Sequence, residues 1–299
     1  MPDPAVPDHE YLTVRELAEL LRLKERKVYD LAASGAVPCS KATGKLLFPA
    51  AEIRQWIAQG QSGGPSVAAA RPLARPPIVL GSHDPLLDWA IRQSRCGLAT
   101  FYDGSLDGLA RFVRGEGVIT GLHIHDAASD RWNTAAAARV AADQNAVLIS
   151  FARRRRGLVY RAGEKALARL SDLAGRRVVP RQAESGTDAL FRELAGKENL
   201  ALSDLEFSEV ARTEDAAVEA VRRGHADAAF GLEAVAHSYG LEFAPIIEEE
   251  FALLIDRKSW FDTPVQTLVA FCSDRQFAAR AKEYGGYDIG VFGEVGWNA

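Results

Sequence analysis

Three short runs place hydroxyls and free backbone N–H groups where an extended segment gives way to a helix. They are GSHD, with Ser82; DGSLDG, with Gly104 and Ser105; and RQAESGTD, with Ser185, Gly186 and Thr187. A helix start carries unsatisfied N–H donors and partial positive charge, so such junctions can cradle a small anion without a catalytic acid or base. Taken singly, Ser or Thr at a helix start is an ordinary N-cap. Three in one part of the chain point to a pocket. A run of four arginines, Arg153 to Arg156, lies between the strand-like AVLISFA and GLVY. Alternation along an extended segment sends two of the four toward a cleft and two toward solvent, and Arg154 or Arg153 is the expected anion partner. His123 and His125, two apart in LHIHD, share one strand face at a spacing compatible with metal ligation. With no third ligand evident, the expectation is strand histidines or a single ligand-contacting imidazole, and no metal. The acidic run Glu248 to Glu250 reads as a solvated face, and Phe101, Tyr102, Trp132 and Trp260 as core or cleft walls.

The elements that must hold the three junctions follow from periodicity. From residue 77 onward, apolar runs such as PIVLGS, LATFY, GVITGLHIH and AVLISFA alternate with helical patterns such as DPLLDWAIRQS, SLDGLARFVRG and EDAAVEAVRRG. That alternation implies an α/β class with parallel sheets and helices on both faces, and there are enough units for two sheets. Ligands in such folds sit beyond the carboxyl ends of the strands.

A different chemistry is expected near the N-terminus. Thr13 and Glu16 form a capping box before an apolar stripe of Leu17, Leu20 and Leu21, which predicts a helix from about Val14 to Leu21. After a short turn, KERKVYDLAASG predicts a second helix with Val28 and Leu31 inward, Lys24, Arg26, Lys27 and Tyr29 outward, and Gly35 as C-cap. VPCSKATGKLLFP predicts a hairpin around Thr43-Gly44 with Lys41 and Lys45 near its tip. A last helix, AAEIRQWIAQ, puts Ile53, Trp56 and Ile57 on one face. Two short helices joined by a tight turn, the second basic at its start, suit reading of a DNA major groove. Lys24, Arg26, Lys27 and Tyr29 are the candidate recognition residues, and Lys41 and Lys45 the candidate phosphate contacts.

The 299 residues are 47% hydrophobic and 25% charged, ordinary globular composition. The Gly, Pro and Ala-rich stretch 60 to 76 reads as a linker between a domain of residues 1–59 and one of residues 77–299. The net charge of −4 argues against nucleic acid only until it is split, because Arg22 to Lys45 holds six basic and two acidic residues. Cys39, Cys96 and Cys272 form no CxxC pair, so neither disulfides nor zinc are expected. No apolar run reaches the ~20 residues of a membrane span. The opening MPDPAVPDHEYLT lacks the charged and apolar regions of a signal peptide, so cytoplasmic residence is expected. No GxGxxG, P-loop, GxSxG or HExxH occurs in a suitable context.

The first domain resembles excisionase and MerR-like winged helix-turn-helix domains through Leu12, Thr13, Leu17, Leu20, Val28, Tyr29, Leu31, Gly35, Pro38, Phe48, Ile53 and Trp56. It departs in the wing, where Lys45-Leu46-Leu47 stands in place of the usual basic residues. The stretches GSHDPLLD, GSLDGLARFVRGEGVITGLHIHD, VVPRQAESGTDALF and GHADAAFGLEAVAHSYGLEFAPIIEEEFALLID resemble the periplasmic-binding-protein-like (type II) domain fused to helix-turn-helix regulators, including the LysR type, and to molybdopterin-biosynthesis proteins. That resemblance implies two lobes, about 77–155 with 246–299, and about 156–245, with a ligand in the cleft. It implies that Ser82, Ser105, His123, Arg181, Ser185, Gly186 and Thr187 face the ligand. Glu184 and Asp188 stand where the family has Gly and Arg, and their charge opposes a strongly anionic ligand.

Together these expectations describe a one-component transcriptional regulator that is not an enzyme. It would bind a double-stranded DNA operator as a homodimer or higher oligomer and sense a small effector, with an oxyanion such as molybdate or tungstate implied by the family resemblance. Two rivals remain. One is an enzyme on the same two-lobed fold, as in the similar lobes of hydroxymethylbilane synthase or prephenate dehydratase. The other is an excisionase-like architectural factor without ligand control.

Overall fold

The computed structural model describes residues 10–41, 44–59, 75–183 and 185–299. The expected linker over 60–74, Thr43 of the hairpin tip and Glu184 lie outside the described residues. The chain divides into two compact units, one ending at Ala74 and one beginning at Arg75. Arg75, placed at the end of the linker by sequence, belongs to the second unit. Its guanidinium donates to Gly117 O at 3.2 Å and Gln144 Oε1 at 3.0 Å, and pairs with Asp256.

The first unit consists of β1 (Tyr11–Thr13), α1 (Val14–Leu21), α2 (Glu25–Ala33), β2 (Leu47–Pro49) and α3 (Ala50–Gln59). The capping box forms as the sequence requires: Glu16 N donates to Thr13 Oγ1 at 3.3 Å and Thr13 N to Glu16 Oε2 at 2.7 Å. Gly35 takes φ +68°, the left-handed conformation that ends α2 without a Cβ penalty. The hairpin differs from expectation. β2 pairs antiparallel with the N-terminal β1, Leu12 opposite Phe48, and the VPCS side contributes only a Ser40–Leu47 bridge. Pro38 has no N–H to offer a ladder and Val37 is drawn into the core, so that run cannot lie flat as a strand. Leu12, Leu17, Val28, Phe48 and Ile53, each at most 1% exposed, form the centre of this core.

The second unit begins with β3 (Ile78–Gly81), α4 (Pro85–Ser94), β4 (Ala99–Tyr102), α5 (Ser105–Val113), β5 (Ile119–Leu122), β6 (His125–Asp126), β7 (Arg131–Trp132) and α6 (Thr134–Ala141). A 15-residue strand, β8 (Ala146–Tyr160), leads into β9 (Arg177–Val179), α7 (Gly186–Lys197), β10 (Glu206–Phe207), α8 (Glu214–Arg222), β11 (Ala228–Leu232) and α9 (Glu233–Ser238). A second 15-residue strand, β12 (Glu242–Asp256), returns to α10 (Thr263–Cys272), α11 (Arg275–Tyr284), β13 (Tyr287–Asp288) and β14 (Val295–Asn298).

The expectation of two separate parallel sheets is corrected. Among the described residues the order β10-β9-β11-β8-β12-β5-β3-β4 is continuous, because β8 and β12 pair antiparallel along nearly their whole length and pass from one lobe to the other. Each end of the sheet is parallel, β5-β3-β4 in one lobe and β10-β9-β11 in the other. Register shifts interrupt β12 between Pro245 and Ile247 and between Phe251 and Ala252, bracketing the crossover. One lobe packs Leu86, Ile119, Phe151, Phe251 and Phe277 on one sheet face and Leu80, Phe112 and Leu254 on the other. The second lobe has its own core around Leu158, Val178, Leu190 and Phe230.

Candidate ligand cleft and nucleic-acid face

The parallel strands of both lobes end on one cavity of about 220 Å³. Ser82, His83, Tyr102, Gly104 and His123 line it from one lobe, and Arg181, Ser185, Thr187, Arg212, Thr213 and Glu214 from the other. Local sequence explains the positions, since each follows a strand or opens a helix. Ser185 accepts from Asp188 N at 3.0 Å and Thr213 from Ala216 N at 3.0 Å, as N-caps of α7 and α8. Among the site residues read from sequence, Ser82, His123, Arg181, Ser185 and Thr187 line this cavity, whereas Ser105, Gly186 and Arg154 do not.

Those three stand behind it. Ser105, fully buried, accepts from His123 N at 3.1 Å and lies 2.8 Å from Ser82 Oγ. Ser105 thus ties the Ser82 hydroxyl, which lines the cavity, to the backbone at His123. Gly186 lets α7 approach the opposite lobe, because a Cβ there would sit 2.6 Å from His123 O.

Arg154 belongs to a buried ionic network. The alternation expected of the arginine run holds: Arg154 and Arg156 are 1% and 0% exposed, while Arg153 and Arg155 reach solvent. The inward pair, however, meets protein carboxylates. Arg154 donates to Asp84 Oδ2 at 2.8 Å and to Glu249; Arg156 donates to Glu249 Oε2 at 2.8 Å and to Glu214 Oε1 at 3.0 Å. Arg181 pairs with Glu214 at 2.9 Å, Thr187 Oγ1 donates to the same carboxylate at 3.2 Å, and Tyr287 Oη donates to Asp84 at 2.7 Å. Burial pushes the Glu214 carboxyl up, but Arg156 and Arg181 outweigh it and hold it at about 2. Glu249 is driven the same way, its burial overcome by Arg154, Arg156 and His123. The solvated face read for Glu248 to Glu250 is therefore corrected at its centre. Glu249 is fully buried, because β12 sets it directly opposite Arg154 on β8.

The histidine pair is also corrected. β5 stops at Leu122, so His123 and His125 do not share a strand. His123 Nδ1 lies 3.2 Å from Glu249 Oε2, and burial pulls the imidazole below its usual value although Glu249 raises it. His125 packs at a tilt against Trp132, ring centroids 4.8 Å apart, and contacts Glu193 at 2.9 Å and Asp130 at 3.1 Å. Among the described residues no cluster of three His, Cys, Asp or Glu is placed to hold a metal ion.

Sequence reasoning missed Arg212, Thr213 and Glu214 as cavity residues, although RTEDAA carries the same hydroxyl-before-helix signal as SGTDAL. His83 Nδ1 and Tyr102 Oη are buried with no hydrogen-bond partner among the described residues, and both side chains border the cavity. A buried polar atom left so costs about 1–3 kcal/mol, a cost that a ligand can relieve.

On the first unit, Arg26, Lys27 and Tyr29 are exposed on α2, Tyr29 at 52%, and Lys24 is exposed at its N-cap. Lys41 and Lys45 border a surface concavity together with Thr13, Arg15, Glu25, Tyr29 and Leu47. Glu25, in the first turn of α2, and Asp30 further along it interrupt the positive surface of that helix.

Comparison with known proteins agrees with this architecture. A family model described as a PBP superfamily domain matches residues 89–273, and one described as a helix-turn-helix domain matches residues 11–61. The chain is 24% identical to the uncharacterized protein YvgK of Bacillus subtilis (strain 168) across 95% of this chain and 96% of that protein. A putative phosphate ABC transporter substrate-binding protein from Clostridium perfringens, solved with bound phosphate, is similar at TM-score 0.51 and 11% identity, over 69% of this chain and 96% of that one. An ABC-type phosphate transport receptor from Vibrio cholerae has TM-score 0.46 and 14% identity, over 71% and 98%. At 11% identity the first of these likenesses shows the fold alone.

Proposed function

Since the chain belongs to the PBP superfamily over residues 89–273 and carries a helix-turn-helix domain over residues 11–61, we propose that it is a one-component transcriptional regulator that binds operator DNA and senses a small anion in its cleft. One observation carries the ligand reading. A cavity of about 220 Å³ between two lobes is lined by hydroxyls, helix starts and Arg181, with orphaned polar atoms of His83 and Tyr102 at its wall. That lining suits a tetrahedral oxyanion, the class of molybdate and tungstate, or a small organic acid. The ligand is bound, not consumed. Closure of the lobes changes DNA affinity to the extent that the ligand prefers the closed state. A helix as short as α2 reads few base pairs, so the protein acts as a dimer on paired half-sites, in the cytoplasm where the operator is.

Thermal unfolding of the intact protein against a panel of oxyanions and small acids tests the sensor. A true ligand at 100 times its dissociation constant adds roughly 2.7 kcal/mol of stability. The same ligand must change affinity for an operator selected from random duplex DNA. A ligand that stabilises the protein but leaves DNA affinity unchanged would leave the architectural-factor reading in its place, and turnover of the ligand lost in Thr187→Ala would favour the enzyme.

A further inference from the structure

Resting on the reading of the cleft as an anion sensor, we propose that its ligand is an anion that retains a proton on oxygen. Hydrogen phosphate and the 2-hydroxy acids belong to this class; sulfate, molybdate and tungstate, which carry no proton at neutral pH, are discriminated against. The selecting group is His123.

His123 lines the cavity yet is only 3% exposed. Its Nδ1 is buried 3.2 Å from Glu249 Oε2 and has no other polar neighbour among the described residues. Glu249 is itself fully buried between Arg154 and Arg156, so it is an ionised carboxylate that accepts hydrogen bonds and donates none. That neighbour holds the imidazole proton on Nδ1. Nε2 then carries a lone pair, and among the described residues it has no hydrogen-bond partner. Phe251 at 6.3 Å between ring centroids and the start of α7 at Gly186 restrain the ring. An aprotic oxyanion would set its own lone pairs against this acceptor unless the imidazole gained a proton, which burial opposes. An O–H on the ligand satisfies Nε2 at once.

Arg154, Arg156 and Arg181 are each paired with Asp84, Glu214 or Glu249, so the cation left facing the ligand is Arg212, which lines the cavity 3.5 Å from Asp103. The other donors toward the ligand's charged end are neutral, the N–H groups that open α7 among them.

Calorimetry of the full-length protein at neutral pH tests this with matched pairs: inorganic phosphate and arsenate against sulfate, molybdate and tungstate, and glycolate and lactate against acetate and propionate. The protic member of at least one set should bind about tenfold tighter, the worth of one net hydrogen bond. His123→Gln, whose amide can donate or accept, should bring the two members of that set close to equal affinity. Sulfate, molybdate or tungstate binding as tightly as phosphate, with the organic pairs equal as well, would overturn the proposal while leaving an anion sensor. No binding by any ion in the panel would overturn the anion sensor itself. Should His123→Gln not fold, nitrogen chemical shifts of His123 in the unaltered protein decide the point, since a proton on Nε2 contradicts the proposal and one on Nδ1 supports it.

Discussion

Arg156 Nη2 donates to Glu214 Oε1 at 3.0 Å with both side chains buried, tying the middle of a crossover strand to the first residue of a cleft helix. Glu214 also receives Arg181 and Thr187, so one carboxylate gathers two cations and a hydroxyl at the cavity wall. Glu214→Ala would leave Arg181 without its carboxylate partner and Arg156 with Glu249 alone. Removing one partner of a buried pair costs about 3–5 kcal/mol. Urea unfolding should show a loss of that order for Glu214→Ala and a smaller one for Glu214→Gln, which keeps shape and an acceptor oxygen. Equal stability of Glu214→Ala and the unaltered protein would mean that the network relaxes without cost.

The same carboxylate sets a pH dependence. Its folded value of about 2 lies below the unperturbed 4.5, so between these the unfolded chain binds more protons than the native protein. The stabilisation is complete above about pH 4.5 and is lost as pH falls toward 2. Glu249 is shifted in the same direction and adds to the effect. The expected result is a steep fall in unfolding free energy over this acidic range, made shallower but not abolished by Glu214→Gln. Parallel curves for the two proteins would place the acid sensitivity elsewhere.

What could be read from the sequence divides by range. The Thr13–Glu16 capping box, the Ser185 and Thr213 caps and the alternation along Arg153 to Arg156 depend on neighbours a few residues apart, and all but the Thr213 cap are legible in the sequence. The partners of Arg154 and Arg156 were not legible. Glu249 sits 95 and 93 residues away and meets them only through the register of β8 and β12, which no local pattern encodes. Glu248 to Glu250 look like a solvated run because burial of the middle residue alone is a property of the sheet. Arg212 and Glu214 were passed over for a related reason. A Thr before acidic residues reads as a plain cap, and only the fold brings that cap to face the Ser82 loop.

The DNA contacts of the first unit can be tested through salt. Each phosphate neutralised on duplex DNA contributes about 0.9 to the slope of log affinity against log salt. If Lys24 and Lys27 both hold phosphates, the double change to Ala should weaken binding to all sequences and reduce that slope by about 1.8. Tyr29→Ala, by contrast, should alter sequence preference with little effect on the slope, because it removes no charge. Filter-binding or anisotropy titrations over a salt series distinguish the two effects. An unchanged slope in the lysine double variant would move the contact surface to Arg26 and the wing.

Closure of the lobes is most directly tested at Gly186. It opens α7 on one side of the cleft, and a Cβ at this position would meet the carbonyl oxygen of His123, on the other side, at 2.6 Å, well inside contact distance. The obstacle is backbone, which cannot swing aside as a flexible side chain would, so Gly186→Ala must hold the lobes apart or shift α7. Gly196, near the other end of the same helix, has open space around its would-be Cβ and serves as control. Because alanine favours helices by roughly 1 kcal/mol over glycine, Gly196→Ala should stabilise the protein slightly and leave ligand affinity intact. Gly186→Ala should lower affinity for whichever anion proves to bind, by about tenfold or more if closure supplies even one hydrogen bond's worth of free energy. It should also uncouple that anion from DNA affinity, since a ligand shifts an equilibrium only by its preference for one state. Equal affinity in the two variants would show that the ligand is held by one lobe alone.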